Sequence, residues 1–195
     1  VIAVMGGTAA SGGYMAALAG EHIVARNSTV TGSIGVILQT AEVSRMLREL
    51  GIVTEAIKST PLKGVPSPFE PLDSRGRAAS QALVDDLYNL FLDLLIERRG
   101  LEPAAAAQLA DGQVFTGRQA VANGLVDEIG GEQEALAWLE ATRGVSSALR
   151  IHDIKIEQSG DFIEQLVSKV GSAVLPQQLT LDGLLAVWHP GLGSE

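Results

Sequence analysis

The residues of this sequence best suited to chemistry lie in its opening stretch, "MGGTAASGGYMAALAG", residues 5–20. A single serine, Ser11, sits there among glycines and alanines. An apolar run, "VIAVM", precedes it, and a run of helix formers follows. A serine in such a setting is either a tight-turn residue or a nucleophile. Ala9, Ser11 and Gly13 at alternate positions, between a strand and a helix, have the shape of a nucleophile elbow with alanine in place of the first glycine. Small neighbours leave the hydroxyl open to a substrate carbonyl. The amides of Gly12 and Gly13, at the start of the helix, suit a developing oxyanion. A phosphate-binding loop would need a lysine directly after the glycines, and none is there. The dinucleotide fingerprint G-x-G-x-x-G is also missing.

A serine nucleophile needs a base. The three histidines are His22, His152 and His189. His22 lies beyond the helix that starts near Ser11, which puts it about 12 Å away at 1.5 Å per residue. His189 precedes a proline in a tail, so a Ser-His-Asp triad is disfavoured. Of the four lysines, Lys58 ends a strand-like run, Lys155 alternates with isoleucines, and Lys169 lies on a polar helix face. Lys63 differs. It sits in "TPLKGVP", between Pro61 and Pro66, with Leu62 and Val65 beside it and no acid within six positions. Taken alone it is either an exposed loop lysine or, once desolvated, a base whose pKa is depressed enough to accept a hydroxyl proton.

The elements that must position these residues alternate. Strands are expected at 1–5, 22–26, 30–38 and 52–59. Helices are expected from Ser11 to Gly20, over 40–51 with Thr40 as cap, and over 74–99 with Leu83, Leu87, Leu90, Leu94 and Leu95 on the apolar side. A further helix starts at Pro103, a strand–helix–strand unit follows in "VFTGRQAVANGLVDEIGG", and "EQEALAWLEATRG" is a helix. This alternation implies an α/β layer fold. A domain over 1–145 is expected, followed by a C-terminal part, 146–195, with a strand in "LRIHDIKI" and an amphipathic helix over 161–175. More acids than bases on that helix make anionic lipid a poor partner and favour subunit packing.

Composition sets bounds. The chain has 195 residues, 46% of them hydrophobic and 4% aromatic, so its core is built from Leu, Ile, Val and Ala. A net charge of −9 argues against a nucleic-acid partner, because phosphate contacts need a basic patch. With no cysteine there is no disulfide frame and no thiolate metal site; no metal and no cofactor are expected. No apolar run reaches the length of a membrane span. Val1 falls inside a strand-like run, so the chain reads as part of a longer protein.

Two segments at this separation, "MGGTAASGGYMAALAGEHIVARNSTVTGSIGV" and "PLKGVPSPF", resemble the signal peptide peptidase A (protease IV) family of serine peptidases. Lys63 follows Ser11 by 52 positions, as in the short bacterial members, and "VFTGRQAVANGLVDEIGG" resembles the family's later signature. The likeness covers roughly residues 1–140. It implies a ClpP/crotonase-like α/β spiral with Ser11 as nucleophile and Lys63 as general base. Ser33, in "TGSIGV", would orient the lysine, and Gly12 would supply an oxyanion donor. It also implies cleaved signal peptides as substrates, a ring- or dome-shaped homo-oligomer, and a plasma-membrane anchor with the catalytic part on the extracytoplasmic side. The anchor and a second oxyanion donor would lie upstream of Val1. Three alternatives remain open: a phage-type head-maturation peptidase, a catalytically inactive oligomeric member, and a crotonase-type acyl-CoA enzyme. The last is disfavoured because Glu21, like His22, lies past the helix.

Overall fold

The computed structural model describes residues 1–146, 148–152 and 154. The chain divides into two units, Val1–Leu149 and Arg150–Glu195, and the strands and helices described belong to the first. The expected helix over 161–175 lies outside the described residues, as does part of the expected strand over 149–156.

The first unit is α/β, as its alternating pattern implies. Strand β1 (Ile2–Met5) is followed by β2 (Thr8–Ala10), helix α1 (Gly12–Ala17), β3 (His22–Ala25) and β4 (Val30–Gly32). Then come α2 (Ser44–Glu49), α3 (Ser74–Arg99), α4 (Pro103–Leu109), β5 (Val114–Thr116), α5 (Gly117–Ala122), β6 (Glu128–Ile129) and α6 (Glu132–Arg143). The strands form two three-stranded sheets. One has the order β1-β3-β6 and is wholly parallel. The other has the order β2-β4-β5, with β2 and β4 parallel and β5 antiparallel. Apolar β-branched runs suit buried parallel strands, and Ile23, Val24 and Ala25 of β3 are fully buried.

The core gathers Met5, Tyr14, Leu18, Ile34, Phe91, Leu95, Phe115 and Leu125 around that strand. Local chemistry fixes the helix ends. The Asp73 carboxylate accepts from the Gly76 N–H at 2.6 Å and starts α3, and Gly100 in the left-handed region ends it. Thr116 and Gln119 form a reciprocal capping box on α5. Gly117 is required by close approach: a Cβ there would lie 2.0 Å from the Arg26 carbonyl oxygen.

Four expectations are corrected. The run 52–59 forms no strand, although its β-branched alternation suggests one. A strand needs a partner edge for its backbone groups, and no described strand lies alongside, so Val53 is 86% and Ile57 98% exposed. Instead, Thr54 donates to the Phe69 carbonyl at 3.2 Å, and Lys58 pairs with Glu70. The strand expected over 30–38 ends at Gly32, because Gly32 and Ser33 both take positive φ. The helix expected over 40–51 is only Ser44–Glu49 with Val43 at its N-cap. In α3 the buried side chains are Phe91 and Leu95, while Leu83, Leu87 and Leu90 are 40–52% exposed. At 1.5 Å per residue a helix of 26 residues is about 39 Å long. Its core contacts begin only at Tyr88, so the leucines nearer its N-terminus have no core beneath them.

A polar clamp ties α3 to β3 and to the residues leading into β6. Arg99 donates to both oxygens of Asp127 at 3.0 and 2.7 Å and to the Gly124 carbonyl at 2.8 Å. Asp127 also accepts the Ile23 N–H at 2.7 Å. Desolvation pushes the Asp127 carboxyl up, but the Arg99 and Ile23 hydrogen bonds and the nearby positive charge outweigh it and hold the group below its ordinary value. A carboxyl depressed in the fold stabilises it above the unfolded pKa of about 3.9, and that stability is lost as pH falls through the folded value. Asp127→Ala is therefore expected to lower stability at pH 7 by about 2 kcal/mol, leaving Arg99 unpaired. The deficit should shrink below about pH 4. Urea unfolding at pH 7 and pH 3 checks this; an equal deficit at both values would contradict it.

Candidate active site

The site is built where neighbouring strands end. β2 and β4 run parallel in the register Thr8↔Val30, Ala9↔Thr31 and Ala10↔Gly32. The next residue of each strand is a serine, so Ser11 and Ser33 leave the sheet side by side at its carboxyl end. In open α/β sheets that is the end where ligands bind. The Ser11 N–H donates to the Gly32 carbonyl at 2.8 Å, and the Ser33 N–H donates to the Gln113 carbonyl at 2.7 Å. Both serines have positive φ, 52° and 50°, and they are the only non-glycine residues to do so among those described. Such conformations cost on the order of 1–3 kcal/mol each and persist where the surroundings over-determine them.

Ser11 has ψ −120° and stands at the N-cap of α1, yet its side chain makes no cap hydrogen bond. Its hydroxyl is left available. Gly12 begins the helix, so its amide has no intrahelical acceptor, and the space where a Cβ would stand is open to 4 Å. The nucleophile elbow expected from the spacing is thus present as geometry: strand, strained serine, helix. α1 is fixed from below. Fully buried Tyr14 donates its hydroxyl to the Leu125 carbonyl at 2.7 Å, and the Met15 N–H donates to the Ser11 carbonyl at 2.9 Å. Burial pushes the Tyr14 phenol far up, so it stays protonated and keeps donating.

Ser11 and Ser33 line one cleft of about 450 Å³, with Gly35, Val36, Ile37, Tyr88, Ala110, Asp111 and Gly112. Its walls mix apolar Val36, Ile37 and Ala110 with the polar side chains of Ser11, Ser33, Tyr88 and Asp111. Tyr88 donates to the Ala110 carbonyl at 3.0 Å and fixes one wall. Tyr88, Asp111 and Gly112 escape the sequence reading. "DGQ" before "VFTG" was the available signal, a turn whose carboxylate faces no obvious partner in one dimension.

Lys63 is not brought into this cleft. It lies exposed on the loop after residue 60, where its N–H donates to the Thr60 carbonyl at 3.1 Å. His22 stays apart too, as expected. Its ring stacks on Trp138 at 4.6 Å, with Nε2 3.3 Å from Glu128. Glu21 pairs with Arg143 at 2.5 Å, away from the cleft lining. Among the described residues no group of three or more His, Asp or Glu could hold a metal ion, and no helix is long and apolar enough to cross a membrane.

The model of peptidase family S49 matches residues 1–146, which contain Ser11, Gly12, Ser33 and Lys63. The chain belongs to that family. A putative protease of Synechocystis is 39% identical over 145 residues, covering 74% of this chain and 52% of the relative. A putative signal peptide peptidase of Enterococcus faecium is 33% identical over 182 residues, covering 93% of this chain and 53% of the relative. The chloroplastic serine protease SPPA of Arabidopsis thaliana is 31% identical, covering 95% of this chain and 28% of that one. The chain therefore spans about half the length of the first two relatives. Among solved structures, a variant of a membrane-bound stomatin-specific protease is similar at 16% identity and TM-score 0.39, covering 67% of this chain and 49% of that one. An enoyl-CoA hydratase/isomerase family member is similar at 20% identity and TM-score 0.36, covering 86% and 45%.

The S49 match and the strained turn meet at Ser11, and the strain is measurable by itself. Ser11→Gly relieves the positive φ, whereas Ser11→Ala keeps it; both remove the hydroxyl. The glycine variant should be the more stable of the two by about 1 kcal/mol. Denaturant midpoints compare them, and a more stable alanine variant would contradict the strained turn.

Proposed function

We propose that this chain carries the catalytic part of a serine endopeptidase that uses a Ser-Lys dyad on apolar peptides. The observation that carries the reading is Ser11 itself, a strained serine at a strand-to-helix turn with its hydroxyl uncommitted, beside a free Gly12 amide, in a cleft within the S49 match. Lys63, as the general base, takes the Ser11 proton as Oγ attacks the scissile carbonyl. The Gly12 N–H holds the oxyanion. The lysine then passes its proton to the leaving amine, and water releases the acyl group from Oγ. Ser33 orients the lysine by hydrogen bonding.

Because Lys63 stands on an exposed loop outside its own chain's cleft, the reading takes it as delivered to Ser11 by assembly, from a neighbouring copy in a homo-oligomer. The exposed apolar side chains of Val53 and Ile57, in the run just before that loop, favour such packing. Val36, Ile37 and Ala110 give the cleft an apolar lining suited to cleaved signal peptides and similar membrane-released peptides. Such substrates agree with a membrane-anchored protein whose catalytic part lies on the extracytoplasmic side.

Hydrolysis of a leucine- and alanine-rich fluorogenic peptide, by the longest polypeptide that carries these residues, tests the reading. Ser11→Ala and Lys63→Ala should each lose at least about 10³-fold in kcat/KM. Mixing the two inactive variants should restore measurable turnover, since some sites then pair an intact serine with an intact lysine. Near-native turnover in either variant alone would overturn the dyad. Two inactive variants that stay inactive when mixed would overturn delivery by a neighbouring copy.

A further inference from the structure

The cleft holds one carboxylate, Asp111, that the proposed mechanism does not use. Its Oδ1 accepts the Gln113 N–H at 2.9 Å and closes the turn between α4 and β5. That turn grips Ser33 from both sides. The Gln113 carbonyl accepts the Ser33 N–H at 2.7 Å, and the Gly112 N–H donates to the Ile34 carbonyl at 3.1 Å. The β4–β5 ladder continues the grip, with Gly32 opposite Val114. Gly112 makes this possible: its φ of 86° shapes the turn, and its Cα lies 3.6 Å from where a Cβ on Gly35 would stand. Ser33 therefore sits at its unfavourable φ of 50° between two hydrogen bonds that both lead back to residues 111–113.

We propose that Asp111 is a positioning residue of the peptidase site: its carboxylate closes the turn that holds Ser33, and through Ser33 the base, in the reacting geometry. This rests on the Ser11–Lys63 reading, with Ser33 as the lysine's hydrogen-bond partner. The physical demand is local. A serine outside the favoured backbone regions stays there only while its surroundings over-determine it. Opening the 111–113 turn frees the Gln113 carbonyl and lets Ser33 relax. A displacement of about 1 Å at a positioning group can cost about 10²-fold in rate. Asp111 is exposed, so its loss should disturb the core little.

The test uses the same fluorogenic peptide and the same polypeptide. Asp111→Ala should lower kcat by about 10- to 100-fold, with KM changed less than about threefold. Asp111→Asn keeps an oxygen to accept the Gln113 N–H and should stay within about threefold of native kcat. Asp111→Ser, whose hydroxyl closes such turns more weakly, should fall between them. Because the aspartate acts through Ser33, the double variant Asp111→Ala with Ser33→Ala should be no slower than Ser33→Ala alone. Native kcat in Asp111→Ala overturns the proposal. So do additive losses in the double variant, or a loss in Asp111→Asn equal to that in Asp111→Ala. Should Asp111→Ala fail to fold, the asparagine and serine variants decide, and equal large losses in both overturn the proposal. Failure of the underlying reading shows separately, as hydrolysis surviving in Ser11→Ala.

Discussion

The parallel pairing of β2 with β4 is the interaction on which the site depends. Its register sets Ala10 opposite Gly32, so the chain emerges from two adjacent strands at one level and in one direction. The two residues that emerge are serines, each forced to positive φ. A slip of one residue would turn every side chain of β2 to the other face and carry Ser11 away from Ser33. Much of the surrounding structure holds that register. Fully buried Thr31 donates to the Ala9 carbonyl at 2.7 Å, and the Ser11 N–H closes the ladder onto Gly32. A Cβ on Gly32 would meet the Phe115 ring at 2.6 Å, so only glycine lets β5 approach so closely there.

Much of this was legible in the chain because it is local. Strand, small residues and helix in fixed order announce an elbow with Gly12 at its turn, while Ser33 was singled out only through the family resemblance of "TGSIGV". The α/β class follows from alternating apolar runs. What escaped is set by partners distant in sequence. Residues 52–59 have strand chemistry but no edge to pair with among the described residues. The apolar stripe of α3 is real, yet which leucines it buries depends on where the sheets end beneath it. Asp111 carries no signal of a partner in the sequence, because its relation to Ser33 spans 78 positions and exists only once β5 lies antiparallel to β4. The Arg99–Asp127 clamp was equally hidden, since two charged residues 28 positions apart carry no periodic signal.

Lys63 marks the boundary between a motif and a site. Its spacing from Ser11 matches the family resemblance, but spacing along a chain does not close a distance in space. The strand, strained serine and helix of the elbow lie within one chain, whereas the proposed base stands on an exposed loop. The chain spans about half the length of the first two relatives, and in the proposed mechanism a neighbouring copy brings the base to the elbow. Such an arrangement would couple peptide cleavage to oligomer formation, because isolated copies would lack an activated serine.

The central claim, that Ser11 is the activated nucleophile, is tested most directly by locating a covalent label. The longest polypeptide carrying these residues is treated with a fluorophosphonate, digested, and mapped by mass spectrometry. One phosphonylated residue, Ser11, is expected, with the label lost in Lys63→Ala. A phosphonate on Ser33 or any other residue, with Ser11 unmodified, would contradict it.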